Sequence, residues 1–115
     1  MSTLSDQPIQ TCNQKSIALT QDTINKHLIE LDEWQLINEQ GISKIFKSYS
    51  FKNFLSAIHF ANSVAALAEL DNHHPRICIE WGKVTLTWWT HSISGLFIND
   101  FIMAARCEKA YEDLE

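Results

Sequence analysis

Two adjacent histidines, His73 and His74, stand between a long apolar run free of Gly and Pro and the ring of Pro75; a third, His91, follows the segment VTLTWW. Imidazole has an unperturbed pKa of about 6.5, so it both accepts and donates a proton near neutral pH. Two or three converging imidazoles, with a carboxylate to fix a tautomer, suit an elimination of water. One ring takes a proton while another protonates the departing hydroxyl. Asp100 is placed to be that carboxylate, because it falls near the start of the predicted last helix, where the helix dipole favours negative charge. The same residue types allow two other readings: hydrogen-bonded surface histidines, or a His/Asp metal set. Consecutive side chains diverge, and no HxxxH or HxH pair supports the metal.

The elements that must position these residues follow from periodicity. Thr20 is a predicted N-cap, flanked by the apolar pair Leu19 and Ile24, for a helix over 21–31. WQLI and ISKIFKSYSF read as strands joined through NEQG, a hairpin with a four-residue loop around Gly41. NFLSAIHFANSVAALAEL, capped by Ser50 or Asn53, reads as the central helix, with Phe54, Leu55, Ile58, Ala61 and Ala65 on its apolar face. ICIEW and VTLTWW form a second hairpin, with Gly82 expected first in a type II′ turn. INDFIMAARCEKAYEDL closes the order as a third helix, with Asn99 an alternative cap to Phe97. Without a βαβ rhythm, this order predicts an α+β fold: a four-stranded antiparallel sheet with three helices on one face. Helix ends and strand ends at one rim would then bring His73, His74, His91 and Asp100 together.

The rest of the chain sets limits. Its 115 residues, 45% hydrophobic and 20% charged, suit one globular domain. That domain is read as residues 17–115 after a polar, loosely packed arm over residues 1–16. A net charge of −5 offers no basic stripe for nucleic acid. The polar start reads as neither a signal peptide nor a membrane anchor, and no stretch reaches the roughly 20 apolar residues of a membrane span. Cys12, Cys78 and Cys107 are odd in number and widely spaced, which suggests free thiols in a cytoplasmic protein. His27 and His59 read as solvated helix positions. Trp88 and Trp89 point to opposite faces of one strand. Trp34 suits either the core or the border of a flat heterocycle.

The pattern Glu69-x3-His73-His74-Pro75-x5-Trp81-x9-His91-x8-Asp100 resembles that of the pterin-4a-carbinolamine dehydratases, known in animals also as dimerisation cofactors of a homeodomain transcription factor. IFKSYSFKNFLSAIHFANSVAALAE is similar to the family's strand and long helix, and DEWQL to its first strand, so the resemblance covers roughly 17–113. It implies the α+β fold already predicted. It also implies that His73, His74 and His91 line a pterin pocket, that Asp100 orients a histidine, that Glu69 supports the loop and that Trp34 borders the ring. The implied reaction is dehydration of 4a-hydroxytetrahydropterin to quinonoid dihydropterin, in which the pterin is the substrate and no metal or organic cofactor takes part. A homodimer or homotetramer is implied too. A non-catalytic dimerisation protein of the same fold, or a protein acting on a molybdopterin-type pterin, are the alternatives.

Overall fold

The computed structural model describes residues 4–114. Helix α1 spans Gln21–Ile29, strand β1 Gln35–Glu39, β2 Ile42–Ser50, helix α2 Phe54–Leu70, β3 Arg76–Glu80, β4 Lys83–Trp88 and helix α3 Ile98–Asp113. The sheet order is β1-β2-β4-β3 with every pair antiparallel, giving the predicted α+β arrangement of four strands and three helices. Alternation along the strands buries Ile45 and Tyr49 of β2 and Val84, Leu86 and Trp88 of β4 against the helices. The Tyr49 ring lies 4.8 Å from Phe60 of α2 and 4.7 Å from Tyr111 of α3. Phe60, Val64, Phe101, Ile102 and Met103 are fully buried, each contributing about 1.5–3 kcal/mol of apolar burial.

Thr20 caps α1 as expected, its side chain accepting from the Thr23 N–H. Three expectations shift. The first hairpin closes in two residues, because Gln40 (φ 53°) and Gly41 (φ 83°) both take the positive φ of a type I′ turn and Glu39 pairs directly with Ile42. In the second, Trp81 and Gly82 form the turn and Gly82 (φ 72°) comes second, so the order of signs is not that of type II′. A Cβ at Gly82 would stand 3.1 Å from the Phe51 carbonyl oxygen, which leaves that turn to glycine. Helix α2 buries Ala57, Phe60, Ala61, Val64 and Ala68, while Leu55 and Ala65 face outward. Its apolar arc is wider than the buried stripe, so composition does not single out the part that packs inward.

The segment before Ile17, read from its polar composition as loosely packed, lies along α3. Leu4 is buried in the core, and the Arg106 guanidinium donates to the Ser5 and Gln7 carbonyls at 3.4 and 2.8 Å. Polar residues are held here through their backbone, which composition does not register. No helix among the described residues is long and apolar enough to cross a membrane.

Candidate active site

Helix α2 ends in a Schellman motif that sets the site. Asn72 takes the left-handed conformation (φ 50°), its N–H donates to the Glu69 carbonyl, and the His73 N–H donates to the Ala68 carbonyl at 3.1 Å. His73 is thereby fixed to the helix end, and Pro75 favours an extended His74. The His73 ring lies 16° from parallel to the Trp88 indole, with centroids 5.5 Å apart. Its Nε2 donates to Asp100 Oδ1 at 2.6 Å. Asp100 is wholly buried, and its other oxygen accepts from the Thr90 hydroxyl at 2.8 Å and from the Phe97 N–H at 2.9 Å. A carboxylate that receives these three donors holds a proton on His73 Nε2, so that Nδ1 is the acceptor of the neutral ring.

The Phe97 contact also settles the start of α3. Phe97 has no capping side chain, and Asp100, three residues on, reaches back to the free N–H; Asn99 is not the cap. The register of the sheet carries β4 past Trp88 to the same rim, where Thr90 and Gly95 close the His91 loop by paired backbone hydrogen bonds. His91 rests on Trp89, with ring centroids 4.5 Å apart. The outer indole is in turn flanked by Lys44, whose Nζ is 3.9 Å from the ring centroid, and by Arg76 at 5.5 Å. Glu39 binds both cations, and the hydrogen bond from Lys44, with that from Arg76, holds its carboxyl below the usual carboxylate range.

His73, His74 and His91 line one cleft of about 690 Å³, together with Ile9, Gln10, Thr11, Cys12, Asn72, Ser92 and Asn99. That volume is within the roughly 300–1,000 Å³ of small-molecule sites. Glu69 stands at the cleft's margin, its carboxylate 3.0 Å from His74 Nε2, with both groups half-exposed or more. Asp100 backs the cleft through His73. Trp34 is not brought to it. The indole is buried beneath the sheet, where Nε1 donates to Glu108 at 2.9 Å, and the same carboxylate oxygen accepts from Tyr49 at 2.7 Å and from Lys47. Burial and the Glu108 contact push the Tyr49 hydroxyl well above its ordinary pKa. Among the described residues, no group of three or more His, Cys, Asp or Glu is arranged to hold a metal ion.

Three features of this site were not foreseen. Thr90 completes the Asp100 shell, Trp88 and Trp89 each carry a histidine, and residues 9–12 form a wall. The strand register would have located Thr90 and the two indoles at the rim. Nothing local in PIQTC signals a wall.

The family profile described as pterin 4 alpha carbinolamine dehydratase matches residues 17–110. The chain belongs to this family. A relative from Vibrio vulnificus strain YJ016, provisionally named pterin-4-alpha-carbinolamine dehydratase, is 51% identical over 87% of this chain and 91% of its own. A crystal structure from Brucella melitensis, described as a transcriptional coactivator/pterin dehydratase, is 33% identical with a TM-score of 0.74, covering 82% of this chain and 98% of that one. A pterin dehydratase-like protein, described as a RuBisCO assembly factor of the alpha-carboxysome, shares the fold at 22% identity and a TM-score of 0.59, over 69% of this chain and 89% of its own. The pterin-dehydratase fold thus occurs in proteins described by quite different roles.

Proposed function

We propose that this member of the family is a 4a-hydroxytetrahydropterin dehydratase acting by histidine acid–base catalysis. The observation that carries the reading is the convergence of His73, His74 and His91 on one cleft, with the buried Asp100 fixing the tautomer of the first. The N5 lone pair of the substrate drives out the 4a-hydroxyl. As the C4a–O bond breaks, the N5–C4a double bond forms, one histidine protonates the leaving oxygen to give water, and another takes the N5 proton. Each proton transfer contributes about 10²–10⁴ in rate. His74 and His91 are the leading pair for this exchange, His73 lines the cleft beside them with its ring oriented by Asp100, and Glu69 steadies His74. The pterin is the substrate and the reaction calls on no metal or organic cofactor. A cytoplasmic homodimer or homotetramer that recycles the pterin of an aromatic amino acid hydroxylase, without binding nucleic acid or membrane, fits the acidic composition and the free thiols.

The test is stopped-flow decay of 4a-hydroxytetrahydropterin with wild type, His74→Ala and His91→Ala, with and without chelator. Acceleration by wild type that survives chelator and falls at least about a hundredfold in either variant supports the reading. A folded wild type that leaves the spontaneous decay unchanged overturns it and favours a binding role, as the descriptions of the Brucella and carboxysome proteins illustrate for those proteins.

A further inference from the structure

Ile9, Gln10, Thr11 and Cys12 line the histidine cleft and lie before residues 17–110, the span that the family profile matches. Their position is built rather than incidental. The Asn99 amide, only 4% exposed, pairs with the Gln10 backbone at both ends: Oδ1 accepts the Gln10 N–H at 2.8 Å, and Nδ2 donates to the Gln10 carbonyl at 2.9 Å. This is how a neighbouring strand would hold the segment, and it costs a buried side chain to do so. Earlier along the segment, Leu4 is buried and Arg106 grips Ser5 and Gln7 while its Nη1 donates to Asp71 Oδ2 at 2.7 Å, two residues before His73. Beyond the clamp, Cys12 Sγ comes to 4.0 Å from the Ser92 hydroxyl, beside His91. Asn99 and Asp100 are consecutive on the first turn of α3, so one turn of helix fixes both the segment and the His73 ring.

We infer that Ile9–Cys12 is a substrate-contacting wall of the site, and that Asn99 is the positioning residue that sets its distance from the histidines. The inference rests on the pterin reading above and adds to it a recognition element that precedes the span matched by the family profile. Apolar contact comes from the half-buried Ile9, and Cys12 reports occupancy because it is half-buried at the cleft.

The experiment uses the full chain with Cys78→Ser, which removes the exposed thiol; Cys107 is wholly buried. Alkylation of Cys12 by iodoacetamide is followed by mass spectrometry with and without biopterin, whose binding is measured separately by tryptophan fluorescence. At ten times its Kd, biopterin should slow alkylation about tenfold, by simple occupancy. Biopterin that binds but leaves the rate unchanged overturns the wall and leaves the dehydratase reading standing. Biopterin that does not bind overturns both. Asn99→Ala, checked for folding by circular dichroism, should weaken biopterin binding about tenfold for the two lost hydrogen bonds and speed Cys12 alkylation in the free protein. Asn99→Asp, whose second oxygen would oppose the Gln10 carbonyl and stand beside the buried Asp100, should weaken binding at least as much as Asn99→Ala. Wild-type affinity in a folded Asn99→Ala overturns the positioning role. The protection of Cys12 does not depend on that variant.

Discussion

Asp100→Asn should abolish activity through a proton moved to the wrong nitrogen, with little loss of fold. The carboxylate accepts three hydrogen bonds in full burial: from His73 Nε2 at 2.6 Å, from the Thr90 hydroxyl at 2.8 Å and from the Phe97 N–H at 2.9 Å. An amide at the same place offers one acceptor oxygen and one donor nitrogen. Turned with its nitrogen towards Phe97, it would oppose a backbone N–H that has no way to reverse. Turned the other way, its oxygen serves Phe97 and Thr90 and its nitrogen faces His73 Nε2, which must then accept. The ring answers by moving its proton to Nδ1, the atom that is the acceptor in the wild type. Exchanging a charge-assisted bond for a neutral one costs about 1 kcal/mol, and for a chain of this size each kcal/mol lowers Tm by about 4 °C. If His73 must present an acceptor to the cleft, the rate falls by about 10²–10⁴. Nitrogen-15 NMR of the histidine rings reads the tautomer directly, and stopped-flow decay of the 4a-hydroxypterin reads the rate. An Asn variant that keeps the Nε2–H tautomer, or one that moves the proton to Nδ1 yet works within about threefold of wild type, would refute the role assigned to the pair.

Three other outcomes follow from the same contacts. Trp34→Phe removes one donor from Glu108 but leaves those of Tyr49 and Lys47, so stability should fall by about 1 kcal/mol in urea unfolding while the KM for the pterin stays put; a tenfold rise in KM would return Trp34 to the ring's border. Burial pushes the Cys107 thiol from 9.0 up to about 12, against an opposing interaction with Trp88. The unfolded thiol therefore ionises first as pH rises, and the stability tied to this group, complete below about pH 9, is lost towards pH 12, by at most about 4 kcal/mol. Urea midpoints of wild type and Cys107→Ala should converge over that window; parallel curves would show that the thiol does not titrate with unfolding. Light scattering should find a dimer or tetramer, since Leu55, Leu70 and Trp81 are 63%, 81% and 74% exposed, and a clean monomer of 13.2 kDa would contradict it.

What could be read from the sequence was set by short-range physics. Thr20 as a cap, the two hairpins, the long helix and the third helix each announce themselves within a few residues, and an order without βαβ units leaves an antiparallel sheet as the economical solution. The histidine rim was legible for the same reason. A left-handed Asn72 and the ring of Pro75 fix where His73 and His74 leave α2, so their spacing carries geometry as well as residue type. The first turn failed by two residues and the second by one, because Asn38, Glu39 and Trp81 suit a strand or a turn equally well and cross-strand pairing decides between them.

The larger gaps arise where one residue's environment is supplied from far along the chain. The apolar arc of helix α2 is wider than its buried stripe, and only the placement of β4 and α3 selects Ala57, Phe60 and Val64 over Leu55 and Ala65. Trp34 gave two equal readings because the Glu108 carboxylate that claims its N–H lies 74 positions away. The segment at Gln10 read as a loose arm because its partner, Asn99, is 89 positions off and holds backbone rather than side chain. In each case the local sequence leaves a polar group without an evident partner, and burial then obliges the fold to provide one. A polar segment that passes close to a site should therefore be judged by which distant side chains are left unpaired without it. Asn99, next to the buried carboxylate of Asp100 yet not needed as a cap, is the side chain that the arm satisfies.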